Sequence, residues 1–175
     1  MKRIIIILMF LYSTLVSAGS DVENSGNALH LLLPATAFGA SLYFEDDYQG
    51  VWQLIKSGVT SRLVVEGLKA AITKDRPDGS GDDSFASGHA ADSFAASTFI
   101  HQCYGLKCAI PAYLAAAYVG YTRVESDKHE VEDVLLGAVI GSVSAWYFTD
   151  RYKGMSIAPL LTASGQFGVS LKGQF

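Results

Sequence analysis

Three short stretches of the 175-residue chain gather the residue types that handle phosphate oxygens. In Lys69-Ala-Ala-Ile-Thr-Lys-Asp-Arg76-Pro77, a lysine and an arginine stand seven positions apart. Seven residues is about two helical turns, so both cations are expected on one face near a helix end, with Pro77 stopping the helix. Ala86-Ser87-Gly88-His89 is expected in the first turn of the next helix. Backbone N–H groups there lack intrahelical partners and the helix dipole adds positive charge, which favours an anion. Gly88 would let an oxyanion reach the backbone, Ser87 would add a hydroxyl, and His89 would give a proton to a leaving group. In the third stretch, Arg123 precedes His129 and Asp133. A histidine and an aspartate four apart at a helix start are expected to meet on one face. A carboxylate on one ring nitrogen fixes the tautomer and leaves the other nitrogen free as a nucleophile, while Arg123 offers a planar fork for phosphate. Each stretch alone reads as an ordinary surface: a solvated helix face, a capped helix start, a local ion pair.

The elements that must position these residues are mostly helical. Residues 27–44 are apolar on nearly every side, with Pro34 expected to kink a helix. In 47–73, Val51, Ile55, Val59, Leu63 and Val64 recur at helical spacing and predict a one-sided helix that buries them. Residues 77–83 (PDGSGDD) are a loop, with Asp78, Asp82 and Asp83 as loop caps. A helix capped by Asp83 or Ser84 should run from about Ser84 to Cys103, and others are expected over 109–122 and 127–149. The tail changes period: Met155, Ile157, Pro159 and Leu161, then Phe167, Val169 and Leu171, alternate about Ser164-Gly165 and predict a β-hairpin. His30 and His101 have no motif partner and are expected in structural roles, Lys74 lies at no fixed motif position, and Tyr118, Tyr121 and Trp146 suit helix packing or a membrane interface.

Hydrophobic residues make up 50% and charged residues 17%, which excludes a disordered chain, a coiled coil and a basic nucleic-acid binder. Residues 1–18 carry Lys2 and Arg3, an apolar run from Ile4, and small residues to Ala18, the pattern of a cleaved signal peptide or an uncleaved anchor. Cleavage after Ala18 removes two cations and no acid, so 13 cations become 11 against 17 carboxylates and the net charge moves from −4 to −6. Export permits a disulfide between Cys103 and Cys108 across the turn at Gly105, with two free buried thiols as the alternative. The expected organisation is a leader (1–18), one helical domain (19–154) and a hairpin packed on it (155–175).

In order and spacing, Lys69…Arg76-Pro77, Ser87-Gly88-His89 and Arg123…His129…Asp133 resemble the type 2 phosphatidic acid phosphatase and vanadium haloperoxidase superfamily. Its pattern is K-x6-R-P, P-S-G-H and S-R-x5-H-x3-D, covered here by about residues 69–133. Ala86 stands where the family has Pro and Thr122 where it has Ser; neither change removes an acid, base or cation. The resemblance implies an all-α bundle of about five helices, to which the tail adds its hairpin. It also implies roles: His129 as nucleophile oriented by Asp133, His89 as acid and then base, and Lys69, Arg76, Arg123, Ser87 and Gly88 as the phosphate cradle. No metal or cofactor is expected, because three cations take the charge-neutralising role of Mg²⁺.

The function expected is hydrolysis of a phosphate monoester or diphosphate, with a lipid-like substrate and membrane association, on the periplasmic side of a bacterial inner membrane or in the periplasm. A soluble broad-specificity acid phosphatase, a vanadate-dependent haloperoxidase and a non-catalytic envelope protein are the alternatives. Nucleic acid is not an expected partner.

Overall fold

Alanine and serine decide what lies at the centre. In the computed structural model, which describes residues 21–152, 156–161 and 167–172, five helices follow one another. They are α1 (Asp21–Phe44), α2 (Gln49–Ala71), α3 (Gly88–Tyr104), α4 (Leu106–Glu125) and α5 (Val131–Phe148). Helix α3 is the axis: Ala90, Ala91, Ser93, Ala95, Ala96 and Ser97 are buried on it, and side chains this small let neighbouring backbones approach closely. The closest approach is by α5. A Cβ on Gly137 would collide with the Ser87 carbonyl, and one on Gly141 with the Ala91 carbonyl. Gly26 does the same for α1 against Thr122 of α4. Larger side chains, Leu33, Phe99, Ile100 and Tyr104, fill the end of the core away from Gly88.

The all-helical bundle of five helices is as expected, but several details differ. Helix α1 begins at Asp21 and runs through Pro34. Helix α2 shows the face opposite to the one its apolar spacing predicts. It buries Gly50, Gln53, Ser57, Ser61 and Val65, while Ile55, Val59, Leu63 and Val64 are exposed. Large apolar side chains also line the outside of α1, α4 and α5, among them Phe38, Leu114, Leu135, Trp146 and Tyr147. Cys103 and Cys108 are free thiols rather than a bridge. Cys103 turns its Sγ to the Asp150 carbonyl at 3.6 Å, while Cys108 sits beyond the helix break at Gly105, in the first turn of α4.

Two extended segments follow, β1 (Ser156–Leu161) and β2 (Phe167–Lys172), antiparallel with Ile157 opposite Leu171. Their connection at 162–166 lies outside the described residues, as does the leader 1–18, so both the hairpin and the leader stand as expectations.

Candidate functional site

The loop between α2 and α3 organises the site. Helix α2 ends at Ala71, six residues before Pro77, so Lys69 belongs to its last turn and Arg76 to the loop, not to one helical face. A carboxylate gathers them instead. Asp83 accepts from Lys69 Nζ at 3.3 Å, from Arg76 Nε at 2.8 Å and from Arg76 Nη2 at 3.2 Å. Asp83 is therefore no helix cap. Its own carboxyl is held down at about 2, chiefly by the Arg76 hydrogen bond. Asp78 does act as a loop cap, accepting from Ser80 N–H at 2.9 Å, and it pairs with Lys128 at 2.6 Å.

The loop is fastened by its backbone. Lys74 N–H donates to the Asp82 carbonyl (2.9 Å) and Ser84 N–H to the Lys74 carbonyl (3.0 Å). Helix α3 consequently starts at Gly88, four residues later than expected, with Ser87 as N-cap accepting from Ala90 N–H at 3.4 Å. Residues 84–87 stay outside the helix because they have other partners. Ser87 N–H donates to the Asp133 carbonyl at 3.0 Å, and the fully buried Ser84 hydroxyl reaches Asp133 and His129.

His129 is not on a helix. After α4, Asp127 adopts φ 54°, a left-handed conformation that Asp tolerates better than most residues. The amides of Lys128 and His129 both fold back onto the Arg123 carbonyl, at 3.0 and 3.1 Å. Glu130 then caps α5, with Asp133 at its third position completing a capping box. His129 Nδ1 and Asp133 Oδ2 are 3.9 Å apart, too far for a hydrogen bond. The expected direct contact is replaced by Ser84, whose Oγ lies 2.6 Å from Asp133 Oδ2 and 3.3 Å from His129 Nδ1. Burial, then the charge of Arg76, pulls the His129 imidazole down to about 4; a Ser84 backbone hydrogen bond and Asp133 act in the other direction.

Sequence reasoning passed over two further groups. Lys74, set aside as no fixed motif position, donates to Asp133 Oδ1 at 2.8 Å and pairs with Glu130 and Glu132. Its ammonium is pushed above the ordinary lysine value by these carboxylates, against the desolvation that is the largest single influence. His30 packs against the His89 ring, centroids 4.1 Å apart and planes tilted by 33°, and bonds Asp92 at 2.9 Å. Asp92 also takes Arg62, whose guanidinium covers Gly88: a Cβ there would lie 2.5 Å from Nη1. His89 Nε2 meets Asn27 Oδ1 at 3.1 Å. The recurrence of polar residues at 27, 30 and 92 inside apolar helices was the available signal. His101, by contrast, packs edge-on against Tyr113, a structural role.

Arg123 is buried, 4% exposed, in the last turn of α4. Its Nη2 donates to the Glu23 carbonyl at 3.2 Å and its Nε has no hydrogen-bond partner among the described residues; burial pulls its pKa down, the Glu23 charge opposes this and the like charge of Arg76 adds to it. Most of the candidate residues thus fall into one neighbourhood, with Lys69 and Arg76 on Asp83, both acting on His129, which shares Ser84 with Asp133, whereas His89 has its contacts with Asn27 and His30. Ser87 holds the Asp133 backbone, and Arg123 carries the loop on which His129 sits. Among the described residues, no cluster of histidine, cysteine and carboxylates is arranged to hold a metal ion.

Several known proteins resemble this chain. The PAP2 superfamily matches residues 68–154, which contain every candidate catalytic and phosphate-binding residue. The chain is 31% identical to a lipid A 4'-phosphatase of Helicobacter pylori over 144 residues, covering 75% of this chain and 71% of that one. It is 35% identical to a lipid A 1-phosphatase of Porphyromonas gingivalis over 81 residues, 45% of this chain and 18% of the relative. A chloroplastic lipid phosphate phosphatase epsilon 2 of Arabidopsis thaliana is 29% identical across 79% of this chain and 53% of its own. The crystal structure of Aquifex aeolicus LpxE superposes with a TM-score of 0.56 over 80% of this chain and 93% of that one, at 22% identity, and so shares the fold. The chain belongs to the PAP2 superfamily and is an enzyme of its metal-independent phosphoric ester hydrolase type.

Proposed function

We propose that this phosphatase removes phosphate from a lipid-linked monoester or diphosphate, through a phosphohistidine on His129, at the extracytoplasmic surface of a membrane. The observation that carries the reading is Arg123. A buried guanidinium whose Nε has no hydrogen-bond partner among the described residues, lying in the field of both the Glu23 carboxylate and the Arg76 guanidinium, can take a phosphate oxygen. A phosphate there would be met by Arg123, Arg76 and Lys69, by Ser87, and by the Gly88 amide at the start of α3. His129 Nε2 attacks phosphorus and the P–O bond to the lipid breaks. His89, which burial and then the charges of His30, Arg123 and Arg62 hold at about 3 in the free enzyme, takes up a proton as the substrate's negative charge enters and gives it to the leaving oxygen, then takes one from the water that hydrolyses the phosphohistidine. The cations stabilise the charge on the equatorial oxygens as it develops.

Two observations support a lipid substrate. The curated relatives are named for lipid A and lipid phosphates, and the helices turn large apolar side chains outward around a core of small ones. Among the described residues one helix, Val131–Phe148, is long and apolar enough to cross a membrane. Its 18 residues span about 27 Å at 1.5 Å per residue, close to a hydrocarbon core. Residues 1–18 would direct export and the 155–175 hairpin would cover the end of the bundle. The test is phosphate release from a panel of lipid A, phosphatidic acid, polyprenyl diphosphate and p-nitrophenyl phosphate by wild type and His129→Ala in detergent, with phosphohistidine trapping. Lipid phosphates are expected to be preferred and the variant to be inactive. Full activity in His129→Ala overturns the mechanism, and preference for p-nitrophenyl phosphate overturns the lipid assignment.

A further inference from the structure

We infer that Ser84, outside the three motifs, is a positioning residue: it fixes the proton of His129 on Nδ1 and connects the imidazole to the charge of Asp133. The inference rests on His129 being the nucleophile and adds how it is kept ready.

The argument is an inventory of donors and acceptors. Asp133 is fully buried, and its two oxygens already take Lys74 Nζ on Oδ1 (2.8 Å) and the Glu130 amide on Oδ2 (3.0 Å). These contacts and its place in the first turn of α5 keep the carboxylate ionised, so it only accepts. A hydroxyl has one proton to donate. At 2.6 Å from Oδ2, the Ser84 proton goes to Asp133. The Ser84 oxygen then meets His129 Nδ1 at 3.3 Å with lone pairs only. Nδ1 must therefore supply the N–H, which leaves the lone pair on Nε2. The alternative tautomer would set the Nδ1 lone pair against the Ser84 lone pairs, in a pocket where both residues are buried.

Attack at phosphorus makes the imidazole cationic, with the Nδ1 proton retained. The compensating charge is Asp133, reached through Ser84, because the direct distance is 3.9 Å. The backbone holds this arrangement in place. The bond from Ser84 N–H to the Lys74 carbonyl (3.0 Å) puts the serine hydroxyl and the lysine ammonium on opposite oxygens of one carboxylate. A pairing between two stretches of loop thus positions Asp133 from both sides.

The experiment combines kinetics with ¹⁵N-histidine NMR in detergent on wild type, Ser84→Ala, Ser84→Thr and His129→Ala, the last assigning the His129 signal. Wild-type His129 is expected as the Nδ1–H tautomer near pH 7. Ser84→Ala should lower kcat on the order of 10- to 100-fold, the usual cost of losing a partner that orients a reacting group, with KM changed less than about twofold. Its tautomer signal should become mixed, and Ser84→Thr, which keeps the hydroxyl, should restore most of both. An Nε2–H tautomer in wild type overturns the inference without any variant, so a misfolded Ser84→Ala leaves the test intact. An unchanged kcat and tautomer in folded Ser84→Ala overturns it too. If His129→Ala keeps full activity, the nucleophile assignment fails instead, a result separable from both.

Discussion

Asp83 occupies Lys69 and Arg76, cations that we propose a substrate phosphate needs, so replacing it with asparagine should tighten phosphate binding. The carboxylate holds Arg76 at 2.8 and 3.2 Å and Lys69 at 3.3 Å. Held at about 2, chiefly by Arg76, it is ionised throughout any practical assay. A phosphate entering the cradle must displace it or share its partners. Each half-exposed pair is worth about 0.2–1 kcal/mol, and the Asp83 side chain is 49% exposed, which favours the lower part of that range. Two such pairs released together come to about 1 kcal/mol, or roughly fivefold in affinity at 1.4 kcal/mol per tenfold. Asparagine keeps an oxygen for Arg76 Nε, so the loop retains its anchor while the competing charge goes. The assay is inhibition by inorganic phosphate and vanadate, with KM for a lipid phosphate, at 20 and 300 mM salt. Ser84 and His129 are untouched, so kcat should move little. The gain should be about three- to tenfold at low salt and shrink at high salt, where exposed charges are screened. Since Asp83 does not titrate above its depressed value, the gain should be flat between about pH 4 and 8. Weaker inhibition in Asp83→Asn would refute the reasoning: the carboxylate would then be holding the cations in place for phosphate, not competing for them.

Two further outcomes follow from the same geometry. His129 must be neutral to attack, and burial with the Arg76 charge holds it at about 4, so the acid limb of kcat/KM should lie near that pH and Arg76→Gln should move it upward. A limb that stays in place, or falls, would show that Arg76 does not act on the nucleophile; the ionisation of the substrate itself is common to both enzymes and cancels. Gly137→Ala would press a Cβ into the Ser87 carbonyl, costing about 1–3 kcal/mol by overpacking. It should lower both the melting temperature and kcat, whereas Gly141→Ala, one turn away against the Ala91 carbonyl, should affect mainly the melting temperature.

The proximity of several candidate residues was legible where local spacing sets it, though not for Lys69 and Arg76, which Asp83 gathers. Ser87-Gly88-His89 opens a helix whatever the rest of the chain does, and Arg123 and His129 are the ends of a seven-residue turn closed on the Arg123 carbonyl. Ser84 and Lys74 were not legible, because what they do depends on a loop-to-loop backbone pairing and on an aspartate far along the chain. No periodicity encodes such a contact. The helix over-extensions at 71–77 and 84–87 have the same origin: polar loop residues that read as helix-compatible were needed elsewhere.

The reversal of α2 has a different cause, and it bears on function. Apolar spacing predicts the buried face only when water is the solvent outside, because burial then removes apolar area from water. Here Ile55, Val59 and Leu63 face out while Gly50, Ser57 and Ser61 pack inward. On the proposed membrane location there is no hydrophobic gain from turning leucine inward, and close approach of small residues becomes the attraction that remains. Gly137 and Gly141 on α5, seated on the carbonyls of Ser87 and Ala91, follow that rule. The same contact sets the position of Ser87, the residue that opens α3 and binds the Asp133 backbone. The close helix packing and the proposed phosphate site therefore share residues, so an environment that disturbs the first should degrade the second.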